Sequence, residues 1–176
     1  MKAGKVISVK KTKTKWIKSG FLWYLFLAVF ILFFSYYVSN TWYSIMLIQG
    51  DSMLPTYHDM QFVMLDRHSK EYSYGDVIAF QCDELSSVLV KRIVACPEDV
   101  VTIIDGTLYV NGRISAVYPQ KEYFTFAGEL RKEITLDAGE YIVLGDNSAV
   151  SKDSRYEEVG CIEEEDIVGI VVNSKE

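Results

Sequence analysis

Cysteine, proline and histidine are all scarce in this chain of 176 residues, which holds three, three and two of them. The cysteines (Cys82, Cys96, Cys161) are scattered and no two have C-x-x-C spacing. That excludes a disulfide-stapled scaffold and gives no support to a zinc site or a thioredoxin-type motif. A single Cys82–Cys96 bridge stays open, with unpaired core thiols the expected state. There is no proline-rich linker and no internal repeat, so one domain with a small appendage is expected. The two histidines, His58 and His68, lie ten residues apart on what reads as one loop. They motivate a Ser-His-Asp triad poorly and are expected to be ordinary surface residues. Basic charge is missing from most of the chain. Residues 1–20 hold seven lysines and no acid, leaving 11 basic residues against all 24 acids in the rest. A body that acidic repels a phosphate backbone, so nucleic acid is not the expected partner. The acidic run Glu163, Glu164, Glu165, Asp166 lacks rigid ligand spacing and reads as a solvated face, so neither a metal nor a cofactor is expected.

Charge is also absent from residues 19–50. The heart of that stretch, FLWYLFLAVFILFFSYYV at 21–38, spans roughly 27 Å as a helix, close to the thickness of a bilayer's hydrocarbon core. Trp16 and Trp23 flank one end, and Tyr36, Tyr37, Trp42 and Tyr43 the other, as suits rings at the headgroup level. A cleaved signal peptide shares the Lys-rich, then apolar order. However, the run is long for one and its exit, YYVSNTWYS, is bulky where small residues are needed. The expected organisation is a basic cytoplasmic tail at 1–18, a transmembrane anchor at 19–39 and an extracytoplasmic domain at 40–176. Lys2, Lys5, Lys10, Lys11, Lys13, Lys15 and Lys18 set that orientation, because positive flanks stay inside.

Beyond the anchor the apolar runs shorten. Segments 61–65, 76–80, 88–95, 100–104, 107–110, 140–144 and 167–172 are rich in Val, Ile, Tyr or Phe and read as strands. Asp105-Gly106 joins two of them, and Asn111-Gly112 follows the second; such pairs suit hairpin turns that need positive φ twice. Residues 115–133 read as an extended excursion, and no segment past residue 50 carries a persuasive helical period. The fold class is mainly β on one N-terminal helix.

Two places could carry chemistry. In Gly50-Asp51-Ser52-Met53-Leu54-Pro55-Thr56, glycine permits close backbone approach and proline fixes the chain after the serine. A plain turn would look similar. In the strand at 88–95, Lys91 alternates with Leu89 and Ile93, and Arg92 with Val90 and Val94, so one cation is expected against a core. A lysine snorkelling from a half-exposed strand is the alternative. Burial could neutralise Lys91; Arg92 keeps its proton at any relevant pH.

The segments GDSMLPT, VLVKRIVACPED and GDNSAVSKDSR, in this order behind an apolar helix, resemble the bacterial type I signal peptidases. The resemblance runs from the anchor to nearly the end of the chain. It implies a coiled, barrel-like β fold shared with self-cleaving repressor peptidases. By motif position it makes Ser52 the nucleophile and Lys91 the general base, and Ser151 matches the hydroxyl that orients the amine. Asp146, Asp153 and Arg155 match residues that brace the site. Gly50 stands where some relatives supply an oxyanion-hole hydroxyl, leaving the backbone N–H of Ser52 as the chief donor. Ser148 replaces a common arginine, and Glu98 replaces the glycine of a Pro-Gly-Asp turn. The implied substrates are signal-peptide-bearing preproteins cleaved after small-x-small sites, and the implied partners are the lipid bilayer and the secretion translocon. A single-client peptidase, for instance for pilus subunits, and a tethered binding protein without the chemistry are the rival readings.

Overall fold

The computed structural model describes residues 13–117 and 124–172. Lysines 2, 5, 10 and 11, most of the expected tail, residues 118–123 of the excursion and the last four residues lie outside them. The chain divides between Asn40 and Thr41 into two compact units. The first is dominated by helix α1 (Lys13–Trp42), whose segment Gly20–Tyr37 has a mean hydropathy of 1.9 and no buried residues. It is the one helix among the described residues long and apolar enough to cross a membrane. The helix runs past 19–39 at both ends, because a nucleated helix adds one hydrogen bond per residue regardless of hydropathy.

The second unit is antiparallel β throughout. Strands β1 (Tyr43–Leu47), β2 (Phe62–Asp66), β3 (Val77–Cys82), β4 (Ser87–Ala95), β9 (Glu140–Leu144), β10 (Ile162–Glu163) and β11 (Ile167–Val171) form one sheet in the order β1-β2-β11-β3-β4-β9-β10. A smaller sheet has the order β7-β6-β5-β8, from β5 (Val100–Ile104), β6 (Thr107–Val110), β7 (Arg113–Ile114) and β8 (Ile134–Thr135). All seven expected strands are present within about two residues. Four more, β1, β7, β8 and β10, join them. The larger sheet ends openly on β1 and β10, so the pairing among the described residues does not close a barrel. Past residue 50 the only helical pieces described are two 3-10 turns, Gly128–Arg131 and Glu164–Asp166. Asp105 and Gly106 (φ 48° and 73°) and Asn111 and Gly112 (φ 52° and 72°) make the two tight hairpin turns.

Period-two alternation distributes the core. On β3, Val77 and Ala79 pack into a cluster with Met53, Tyr57, Val63 and Leu65, while Ile78 and Phe80 pack with Tyr72, Ile93, Tyr141 and Val143. A third cluster, around Val94, Val101, Leu108, Leu130 and Leu144, joins the smaller sheet to the larger. Strand β4 reaches all three, so from Val90 onward every residue of it is buried. Its position in the middle of the sheet fixes where Lys91 and Arg92 can point.

Candidate active site

The Ser52 turn follows β1 directly. Its neck is closed by two backbone hydrogen bonds, Ile48 N–H to Gln61 O and Met60 N–H to Ile48 O, both 2.9 Å. Gly50 adopts φ +84° and donates its N–H to Asp59 Oδ1 at 2.7 Å. Met53, fully buried, plugs the core immediately after the serine, and the Leu54–Pro55 peptide that follows is cis. From the other side, Asn147 donates its N–H to Ser52 O at 3.0 Å and its side-chain amide to Asp51 O at 3.1 Å. Ser52 is thereby held between a hydrophobic plug and the Gly-Asp-Asn loop.

Lys91 comes to it from β4. Its Nζ lies 2.9 Å from Ser52 Oγ and donates to Val90 O at 2.9 Å. Leu89 and Ile93 pack into the same core cluster, and Lys91 itself is only 4% exposed. Burial lowers its pKa from 10.5 to about 8, against the opposing pull of Asp153 and Asp146. An ammonium loses hydration in such a place, so the neutral amine is favoured. At about 8, on the order of one molecule in ten carries the neutral amine at pH 7.

Two carboxylates that near should hold the lysine charged, and each is occupied elsewhere. Arg92 takes Asp146 in a two-pronged grip, Nε to Oδ1 at 2.8 Å and Nη2 to Oδ2 at 2.6 Å, and also donates to Gly75 O. Thr56 donates its hydroxyl to Asp146 Oδ2, tying the Ser52 turn to the same pair. Arg155 grips Asp153 likewise, Nε to Oδ1 at 2.7 Å and Nη2 to Oδ2 at 2.9 Å, and that carboxylate accepts the Gly145 N–H at 3.1 Å. Both grips are buried, where a paired charge is tolerated and an unpaired one is not. Both cations of the 88–95 strand are thus buried, rather than one.

Ser151 is brought to the same place, although its buried Oγ makes no hydrogen bond among the described residues. It crowds Gly145: a Cβ there would lie 2.1 Å from Ser151 Oγ and 2.6 Å from Ser52 O. The expectations from the motifs include neither Gly145, Arg92 nor Thr56. Glycine at the head of Gly-Asp-Asn and the second cation of Lys-Arg were the available signals.

The remaining expected residues fall as follows. Gly50 lies at the exposed lip of a groove of about 650 Å³ lined by residues 46–53, 87–91, Val150 and Lys152. Ser148 accepts from Arg155 Nη2 through its carbonyl at 3.0 Å. Glu98 adopts φ 69°, the glycine-favouring conformation that its Pro-Glu-Asp turn demands. His58 and His68 do not line the groove, and the His68 ring stacks on Trp42 at 4.8 Å. Of the acidic run, Glu163, Glu164 and Glu165 line a separate depression with Lys70, Asp137 and Glu140. All three cysteines are free thiols.

The description of the family Signal peptidase, peptidase S26, matches residues 13–174 of this sequence. Signal peptidase I of Bacillus licheniformis is 33% identical over 133 residues, covering 70% of this chain and 71% of that protein. Signal peptidase IB of Staphylococcus aureus (strain Mu50) is 33% identical over 142 residues, covering 70% and 73%. A crystal structure of a signal peptidase I from Enterococcus faecalis V583 aligns with a TM-score of 0.48 at 29% identity, covering 58% of this chain and 97% of that one. The chain belongs to the signal peptidase family, peptidase S26, whose members are serine endopeptidases that remove signal peptides.

Proposed function

We propose that this chain is a membrane-bound signal peptidase that cleaves secreted preproteins through a Ser52/Lys91 dyad. One observation carries the reading: the buried Lys91 Nζ stands 2.9 Å from Ser52 Oγ. A neutral amine has one lone pair and two N–H groups. With one N–H on Val90 O, the lone pair is available to take the Ser52 proton. Ser52 Oγ then attacks the scissile carbonyl carbon, forming the C–O bond as the carbonyl π pair moves onto oxygen. The Ser52 N–H has no partner among the described residues and is free to donate to that oxyanion. Losing a donor of this kind typically costs about 3 kcal/mol in the barrier. Lys91 passes its proton to the leaving amine as the C–N bond breaks; it then takes one from water, whose oxygen attacks the acyl carbon, and returns it to Ser52 Oγ as the C–Oγ bond breaks. Asp146 and Asp153, held by their arginines, together with Ser151 and Gly145, support the pair rather than react.

Substrate form follows from free strand edges. β1 ends the larger sheet, and β9 pairs with β4 only at Arg92, Ile93 and Ala95, leaving residues 87–90 unpaired on that side. These stretches border the groove, so an extended peptide can add backbone hydrogen bonds there. Residues two apart on such a peptide face the same way. Met46, Ile48, Met53, Val88 and Val90 leave an apolar wall against which small side chains at alternate positions fit, consistent with small-x-small sites.

Tethering keeps the site near its substrates. The apolar α1 runs without a linker into β1, and Ile45 and Phe62 on the β1–β2 ribbon are 76% and 73% exposed. Such surface favours a bilayer interface, with the lysine-flanked N-terminus cytoplasmic, the domain from residue 40 onward outside and the secretion translocon close by. The test uses the full chain in detergent with an Ala-x-Ala precursor. Ser52→Ala and Lys91→Ala are each expected to lower cleavage by at least about a thousand-fold while the domain stays folded. Near-normal turnover by Lys91→Ala overturns the reading.

A further inference from the structure

The Arg155–Asp153 pair is covered by a segment that none of the three sequence motifs contains. Residues 124–131 rise from the smaller sheet. At one end Phe124, 4% exposed, donates its N–H to Gly106 O at 2.8 Å; at the other Leu130 is fully buried and its carbonyl accepts the Thr102 hydroxyl at 3.3 Å. Between these anchors the segment grips one residue. The Phe124 ring lies 5.3 Å from the Arg155 guanidinium carbon, and Phe126 O accepts from Arg155 Nη1 at 3.3 Å. Glu129 donates its N–H to Arg155 O at 3.0 Å. Gly128, at φ +54°, crosses so close that a Cβ would sit 1.8 Å from that oxygen. The Phe126 ring packs on Tyr156 at 5.0 Å, fixing the next residue as well.

We propose that residues 124–131 are a positioning element of the active site, in which Phe124 and the Gly128 crossing hold the Arg155 guanidinium on Asp153 and so keep the charge of Asp153 from Lys91. The inference rests on the dyad reading. Arginine is long and rotatable, and the ring supplies the face that its in-plane hydrogen bonds leave uncovered. The charged groups around Lys91 are Asp146 with Arg92, Asp153 with Arg155, and, lining the groove, Asp51 and Lys152. Asp146 keeps its own arginine whatever the segment does. Asp153 is fully buried and depends on Arg155; with that guanidinium loosened, its attraction holds Lys91 protonated to higher pH.

Phe124→Leu keeps the apolar volume and removes the ring face. The test measures kcat/KM for precursor cleavage by the full chain in detergent from pH 6.5 to 10, with urea unfolding alongside. The acid limb is expected to move up by about 0.5 to 1 in pH, giving cleavage roughly three- to ten-fold slower at pH 7 that returns to the parent rate above the limb. Phe124→Met, flexible enough to fill the same space, serves if the leucine variant folds poorly and is expected to do the same. An unmoved limb, or a deficit equal at every pH, overturns the inference and makes the segment ordinary packing. A parent enzyme with no limb near pH 8 instead strikes the dyad itself, and this inference with it.

Discussion

Arg92 holds both carboxylate oxygens of Asp146, at 2.8 and 2.6 Å, with the two side chains 8% and 0% exposed. The grip begins one residue past Lys91 and, through Thr56, reaches the Ser52 turn. It therefore sets the spacing of the two candidate catalytic residues while cancelling a charge beside the amine. Arg92→Gln leaves a buried carboxylate unpaired and is expected to destabilise the domain by about 3–5 kcal/mol. Adding Asp146→Asn removes the stranded charge and should recover part of that loss. Urea unfolding of the two variants measures both, and an unchanged midpoint for Arg92→Gln contradicts the assignment.

Gly145 is where the loops carrying Ser52 and Ser151 come too close for a side chain. An added Cβ meets Ser151 Oγ at 2.1 Å and Ser52 O at 2.6 Å, so the Ser151 side chain and the Ser52 turn are both under pressure to shift. Displacements of about 1 Å at reacting groups can cost on the order of a hundred-fold in rate. Gly145→Ala is expected to lose at least that much cleavage activity. Parent-like rates would show that the loop yields elsewhere.

Ser151 has the opposite signature. Its buried hydroxyl makes no hydrogen bond among the described residues, an arrangement that costs stability. Ser151→Ala is expected to leave unfolding unchanged or raise stability by about 1 kcal/mol, yet to slow cleavage about ten-fold or more. A destabilised but fully active variant would assign the hydroxyl to the fold alone.

The strand pattern was legible because inward and outward residues alternate, and Asp-Gly and Asn-Gly mark the turns. β1 was not, since Tyr43–Leu47 continues the uncharged, aromatic run of the helix before it and carries no contrast in polarity. β7, β8 and β10 span two residues each, too few for any period. At the site, three motifs pointed to Ser52, Lys91, Asp146, Ser151, Asp153 and Arg155, and the fold brings them together. The pairing of Arg92 with Asp146 escaped because the two lie 54 residues apart. Gly145 escaped because its crowding exists only once Ser151 has folded back. The 124–131 segment carries no motif; its role depends wholly on where the smaller sheet places it.

Lys91 also ties stability to pH. Its pKa falls from 10.5 to about 8 on folding, chiefly through burial. Between those values the unfolded chain binds more protons than the folded one, so the contribution of this site to stability rises with pH across that window. Below about 8 both states are protonated and the full burial cost, about 3 kcal/mol, stands. Lys91→Met is therefore expected to be more stable than the parent at pH 7, with the gap closing toward pH 10.5. Ionisations common to both proteins cancel in the difference. A gap independent of pH would contradict the sign.

The central claim is an amine at position 91 that is neutral when an ordinary lysine is charged. NMR titration of the full chain with isotope-labelled lysine, the signal assigned by its loss in Lys91→Met, reads that proton directly. The account predicts a midpoint near 8, well below the ordinary 10.5. A midpoint at or above the ordinary 10.5 would contradict it, because the group beside Ser52 would then be a charged donor instead of a base.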